Sequence, residues 1–533
     1  MTFDTLLFFL HSTSNITCNS LYLKPNKMMI NLEIISEPLC IKLLLFVPII
    51  FLFVFRIRPL RIQKSVPGIK SYPVIGFLGY AVKNWNEWPT VTAKLCHKYN
   101  RTWGGPVPNV GGLPGAYFYI HQEETFKHVL SDIDTYVKGD IWKSVLGELL
   151  GNGIFASDGE HWKMHRKLMS NMFSRNLLRH HAKVTQLKLF EIVRQFEDKI
   201  HANSSPINID IQDVFFRLTF DITTLITFGI DLDSVGKEVQ HDFPLAFDEI
   251  SFLCQKRFLD PFFQVKRMFQ IGKRERRIKK LKDVIDRYAL TFIQDRRVNH
   301  DPVSMDILSR YIYYSNKTGH HISNEDLRDV VMNIMLAGRD TTACALSWTW
   351  YELSRNPHIT KRVIEEVNNI CGPPENADYS YDSINKLRYS HCVALEVIRL
   401  HPPVCQDPRF ATRDTVLPCG TKIPSGAGID MCFFASGRSK SIWGDDALEF
   451  IPERFLHEKE PNPFKFPMFN AGPRMCLGRP LALTNIKLAM SILLPLFCFD
   501  DVNGHSGDYK WNLVESIKDG FEVQISEKKR QYL

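Results

Sequence analysis

The stretch FNAGPRMCLG, residues 469–478, sets one cysteine among glycines, a proline and an arginine near the end of a 533-residue chain. Eleven other cysteines are scattered from Cys18 to Cys498. They form no CxxC pair and no dense cluster, which argues against a structural zinc site or a disulfide scaffold and for thiols kept reduced in a cytosol-facing body. With 44% apolar residues the chain can bury a large core, so whatever marks Cys476 must come from pattern rather than from composition.

Working outward, PLALTNIKLAMSILLPLF (480–497) carries apolar residues at helical spacing, as do Leu189–Ile200, Leu281–Arg297 and Asn324–Ser354. Strand-like segments are short and gather at Tyr117–His121 and Ala411–Asp430. The expected fold is mainly α-helical with small β-sheets at one side, undivided by any internal repeat or second linker.

The helix expected over Asn324–Ser354 is odd in its middle. LRDVVMNIMLAG and ACALSWTWYEL are apolar, yet Gly338, Arg339, Asp340, Thr341 and Thr342 bring no large apolar side chain. A glycine costs a helix interior about 1 kcal/mol relative to alanine, and Asp and Thr are poor helix formers. The interruption suits a local opening where a ligand approaches the backbone. It equally suits a kinked core helix with Thr341 bonded back to its own backbone.

Four short motifs share this chain: the cysteine loop, the ExxR of Glu396–Arg399 with PERF at 452–455, Trp162 and Arg166 in EHWKMHRK, and AGRDTT at 337–342. Together they resemble the cytochrome P-450 family of haem-thiolate monooxygenases, and the resemblance runs from the proline hinge to the C-terminus. The loop matches FxxGxRxCxG at Phe469, Gly472, Arg474, Cys476 and Gly478. The resemblance implies the cytochrome P-450 fold, a helical body with a long central helix over haem and a minor β subdomain. It implies haem b, non-covalent apart from a bond between its iron and the Cys476 thiolate, an axial ligand that favours O–O cleavage. Gly472 and Gly478 would let the backbone approach the porphyrin, N–H groups around Cys476 would bond its sulfur, Phe469 would shield it and Arg474 would pair with a propionate. Trp162 and Arg166 are implied to bind a propionate too, with Arg409 a further contact.

In the same way Glu396, Arg399 and Arg454 are implied to form a buried triad that braces the loop, Glu396 and Arg399 sharing one helix face. Ala337 and Gly338 are implied to open a groove for dioxygen, Thr341 to orient a water and Asp340 to feed protons from solvent. Water elsewhere in the pocket would waste the oxidant. His161 and His165 do not read as a zinc pair, because Trp162 stands where the metalloprotease motif needs Glu.

AGRDTTACALSW and GRSKSIWGDDALEFIPERF resemble the microsomal branch that hydroxylates fatty acids and alkanes in fungi and plants, often at the terminal carbon. Pocket candidates are Phe252, Leu253, Ile334, Met335, Ala337, Val404 and Cys405, an apolar set equally compatible with a sterol or a terpenoid. A related animal branch often carries a haem-esterifying glutamate where this chain has Ala337, so no ester link is expected. Haem-thiolate isomerases and dehydratases tend to lose the acid–alcohol pair, which is intact here in Asp340 and Thr341. A haem-binding sensor or electron carrier is the alternative from another class.

No GxGxxG or flavin domain is fused to the chain, so electrons from NADPH are expected through a separate membrane-bound reductase. Lys163, Lys167, Arg175 and Arg179 read as its docking face or as a solvated helix face. PLCIKLLLFVPIIFLFVF (38–55) nearly matches the roughly 20 residues that cross a bilayer. Arg56, Arg58, Arg61 and Lys64 follow it, whereas Glu33 and Glu37 precede it, which predicts an uncleaved single-pass transmembrane anchor in the endoplasmic reticulum with the catalytic body in the cytosol. Residues 1–37 would then be a lumenal extension bearing the sequon at Asn15, or dispensable if translation starts at Met28 or Met29. Residues 56–79 read as a basic, proline-rich hinge and 80–533 as a single catalytic domain. KRMFQIGKRERRIKKLK (266–282) reads as a solvated helix face with Phe269, Ile271, Ile278 and Leu281 turned inward. No nucleic-acid module accompanies it.

Overall fold

Ser323 starts the central helix. Its hydroxyl accepts from the Asp326 amide (3.0 Å) and its own amide donates to the Asp326 carboxylate (3.3 Å), a capping box. In the computed structural model, which describes residues 60, 62–73, 75–109, 113–237, 242–299, 304–319, 322–457 and 460–528, this helix runs Asn324–Met335, passes through a five-residue π-helical turn at Leu336–Asp340 and resumes as Thr341–Arg355. The opening expected at Gly338 is therefore a π turn, the widened ring that frees backbone from the regular ladder. Thr341 also donates its hydroxyl to the Ala337 carbonyl, so the opening and the back-bonded threonine coexist. A Cβ on Gly338 would stand 3.0 Å from the Thr223 hydroxyl oxygen, so the small residue also admits the neighbouring helix Ile211–Phe228.

Helices make up most of the body, as the periodicity predicts. A five-stranded sheet runs in the order Trp103–Pro106, Ala116–Ile120, Gly428–Cys432, Gln406–Ala411, Tyr136–Val137. Its pairings are antiparallel except that of Ala116–Ile120 with Gly428–Cys432. A three-stranded sheet joins Ile207–Asp210, Glu522–Glu527 and Phe497–Asp501, and two two-stranded ribbons complete the β structure. The hinge is docked on the larger sheet: Gly104 donates to the Pro67 carbonyl (2.9 Å), Phe77 donates to Pro106 (3.0 Å), and the Phe77 ring is buried.

The anchor 38–55, Asn15, Met28 and the arginines 56, 58 and 61 lie outside the described residues. Among the described residues no helix is long and apolar enough to cross a membrane.

The basic run differs from its expectation. Ile278 and Leu281 are buried, but Phe269 and Ile271 are 59% and 52% exposed. The helix Gly272–Val298 begins after them, so its periodicity does not govern where they point. Several of the charges are paired within the chain, Arg274 with Asp260 (2.6 Å) and Arg277 with Glu249 (2.5 Å) among them.

The helix Arg388–Leu400 carries the ExxR pair and starts against the Glu366 carboxylate, which accepts from the amides of Tyr389 (2.5 Å) and Ser390 (2.8 Å). Glu396 is 0% exposed. It takes two bonds from Arg399 (2.6 and 2.7 Å), one from Arg454 (3.2 Å) and one from the Ile451 amide (2.8 Å). Arg399 also donates to the carbonyls of Gly437, Ala447 and Glu449. Removing one partner of such a buried pair leaves an uncompensated charge, at a cost of about 3–5 kcal/mol. Glu396→Ala is therefore expected to lose about that much stability in denaturant unfolding; a loss below about 1 kcal/mol would show that the triad is not a brace.

Candidate active site

Cys476 sits where two backbone constraints meet. Its amide donates to the Phe469 carbonyl (2.8 Å), closing the loop on itself. At Gly472, φ is +64°, and a Cβ there would stand 2.5 Å from the Leu130 carbonyl oxygen, so only glycine fits the turn against the neighbouring chain. The thiol is open to an internal cavity of about 460 Å³. Burial pushes it above its ordinary value, while the amides of Gly478 and Arg479 and the guanidinium of Arg166 pull the other way.

The same cavity is lined by Trp162, Arg166, Ala337, Gly338, Thr341, Arg409, Phe469, Arg474 and Gly478. Residues from four distant parts of the sequence therefore converge on one chamber. Arg166 donates to the Met475 carbonyl (2.6 Å). Arg474 lies over the Trp162 ring (4.4 Å) and donates to Asp158 (2.6 Å). Arg409 pairs with Asp407 (2.7 Å).

Asp340 is set back from the wall, buried against Arg339 (3.1 Å), which also grips Asp248. Burial pushes the Asp340 carboxyl up to about 7 against the pull of Arg339, with Asp248 adding to the rise.

Sequence motifs miss Lys138, Asp158 and Asp407. Lys138 is buried on the cavity wall, bonded to Asp407 and lying over the Trp142 ring (4.4 Å). Asp158 accepts from the amides of Lys138 and Gly139 (both 2.9 Å) as well as from Arg474. A lone lysine in TYVKGD carries no signal of this, because its partner lies 269 residues away.

Four expected pocket residues are not on the wall, whereas Ile334, Ala337 and Val404 are. Phe252 is 40% exposed on the outer face of its helix, with the Lys256 ammonium over its ring. Leu253 packs partly buried against the core, and Met335 is buried one position away from the wall residues Ile334 and Leu336. Cys405 lies behind the wall, its sulfur 2.7 Å from Glu515. His165 bonds Tyr311 (2.5 Å), and among the described residues no cluster of ligands could hold a metal ion by itself. Of the basic face, Lys163 pairs with Glu160, and Arg175 and Arg179 share Asp382.

The Cytochrome P450 family description matches residues 66–513 of this chain. The chain belongs to the cytochrome P450 family. It is similar to Cytochrome P450 704B1 of Arabidopsis thaliana, 30% identical over 513 residues that cover 87% of this chain and 95% of the relative. It is also similar to Cytochrome P450 94C1 of the same plant, 35% identical with 69% and 75% covered, and to Cytochrome P450 86B1, 31% identical with 89% and 88% covered. This P450 is accordingly a monooxygenase oxidoreductase, of a family that uses a haem-thiolate iron, dioxygen and electrons from NADPH through a reductase.

The cavity suits such a group on its charges. Lys138, Arg166, Arg409 and Arg474 face Asp158 and Asp407, an excess of two cations, which the two propionates of a protoporphyrin would neutralise. Arg409 Nη2 and Arg474 Nε are buried with no hydrogen-bond partner among the described residues, donors that an added carboxylate would satisfy. Burial and Arg409 push Lys138 down to about 7; a propionate beside it would restore its charge.

Gly472→Ala forces a left-handed backbone and a clash with Leu130, so it should cost at least the roughly 1–2 kcal/mol of the strain alone and lower the thermal midpoint accordingly. An unchanged midpoint would mean that the loop is not pinned there.

Proposed function

We propose that this P450 inserts one atom of dioxygen into a C–H bond of a long lipophilic molecule, a fatty acid or an alkane, at or near the chain end. The observation that carries the reading is the composition of the cavity: beyond its basic rim the wall is apolar, with Leu146, Ile154, Phe155, Ile222, Ile334 and Val404. The branch resemblance of AGRDTTACALSW supports a chain-like substrate over a sterol or terpenoid. Its anchor at 38–55 and the positive flank support a single-pass place in the endoplasmic reticulum membrane, where such molecules partition and a membrane-bound reductase is at hand.

In this reading Cys476 would bind the haem iron through its thiolate sulfur. Trp162, Arg166, Arg409, Arg474 and Lys138 would hold the propionates, and Phe469 would cover the sulfur. When bound, the haem supplies the redox-active iron at which dioxygen is activated. The remaining work belongs to the chain. The π turn leaves room at Ala337 and Gly338, the apolar wall excludes water that would waste the oxidant, and Thr341 positions a proton donor. Asp340, held by Arg339, brings protons from the Asp248 side. Its position favours monooxygenation over a peroxide isomerase, which needs no such delivery.

With purified reductase and a panel of fatty acids, alkanes and sterols, NADPH-driven oxygen uptake should yield hydroxylated chains; sterol products alone would overturn the substrate assignment. Thr341→Ala should divert electrons to peroxide, and equal product per NADPH in that variant would refute the relay. Because the Asp340 pKa is raised, its proton is present below about pH 7 and lost above it. Coupling of wild type should fall as pH rises through 7, and Asp340→Asn should remove that dependence.

A further inference from the structure

Two segments of the cavity wall are joined behind it by a pair of side chains that the mechanism leaves unused. Pro403 and Val404 line the cavity from one segment, Leu513 and Val514 from the other. The residue that follows each pair turns inward: Cys405 is 1% exposed and Glu515 2%. The Glu515 amide donates to the Pro403 carbonyl (2.9 Å). The Cys405 sulfur lies 2.7 Å from Glu515 Oε2 and 3.3 Å from the Pro402 carbonyl oxygen.

A thiol has one hydrogen to donate. Both contacts are satisfied together when the Glu515 carboxyl carries a proton and donates to the sulfur, while the thiol donates to Pro402. The surroundings favour that state. Arg438, the cation facing Glu515, directs its Nη2 to the Tyr509 hydroxyl (2.5 Å), and Cys344 of the central helix and Tyr509 face it as neutral groups. His401 and Glu352 beyond Tyr509 are closed on each other (2.7 Å). Burial raises Glu515 from 4.5 to about 7, against the pull of Cys405 and Arg438.

We propose that Glu515 is a positioning residue for the substrate chain: through Cys405 it clamps the wall segments bearing Val404 and Val514, and so fixes the width of the chamber between them. The clamp rests on the reading of this cavity as the substrate chamber. Ionisation of Glu515 keeps the bond between the segments, now from thiol to carboxylate, but takes the thiol hydrogen from the Pro402 carbonyl, so the turn 402–405 that carries Val404 loses its own tie. A carboxyl with a raised pKa holds its proton below that value and loses it as pH rises, so the Val404 side of the clamp is held on the acid side and slackens through about pH 7.

The test is optical titration of the haem-loaded protein with 1-dodecylimidazole, which ligates the iron and extends along the wall, read as a ratio to 1-methylimidazole. The shorter azole shares the ligand's own titration but does not reach the wall. From about pH 6 to about pH 8 the wild-type ratio of dissociation constants should rise about 5-fold, the worth of one hydrogen bond. Glu515→Gln donates to the sulfur and cannot ionise, so its ratio should stay at the acid value. Cys405→Ala should hold the weaker value at every pH. The same rise in Glu515→Gln, or none in wild type, would overturn the clamp. Binding of 1-methylimidazole but not the dodecyl azole by every protein would instead overturn the chamber reading on which the clamp rests.

Discussion

The carboxylate of Glu396 is wholly removed from water, and much of the architecture around the cysteine loop follows from what keeps it tolerable. A buried charge survives only when paired and hydrogen-bonded. Here two arginines and a backbone amide meet it, and the spare donors of Arg399 reach three carbonyls in the segment 437–449. The helix Arg388–Leu400, that segment and the PERF turn are thereby fixed to one point. A Cβ on Gly437 would stand 2.1 Å from the Arg399 carbonyl oxygen and 3.0 Å from Met468, so the bracing helix, Gly437 and the segment leading into the cysteine loop pack without slack.

The opposite wall solves a different problem. A regular helix offers no room beside its backbone, and the π turn at Leu336–Asp340 creates some without ending the helix. The turn also carries Asp340 to the buried Arg339, which reaches out to the exposed Asp248, while Ala337, Gly338 and Thr341 stay on the cavity. One backbone irregularity thus sets an ion-paired carboxyl apart from the residues that line the cavity.

Much of this was legible in the sequence because it rests on short-range spacing. Five fixed positions mark the cysteine loop, i and i+3 mark Glu396 and Arg399, and a glycine amid poor helix formers marks the π turn. Lys138, Asp158 and Glu515 were not legible, since their partners Asp407, Arg474 and Cys405 are brought to them only by tertiary packing; Asp407 has Arg409 two residues on, but its lysine partner comes from afar. The same limit explains the pocket: apolar character places Phe252, Met335 and Cys405 near the cavity, but which face of the element each takes depends on packing that no local pattern records. Phe269 and Ile271 were misplaced because a turn interrupts the helical phase just where the basic run crosses it.

The central claim is that Cys476, alone among twelve cysteines, binds the iron as a thiolate. The most direct measurement is the absorbance spectrum of the reduced protein under carbon monoxide, for wild type and for Cys476→Ala. The account predicts the red-shifted Soret band of thiolate ligation in wild type and its loss in the variant. A Cys476→Ala protein that keeps the band would contradict it.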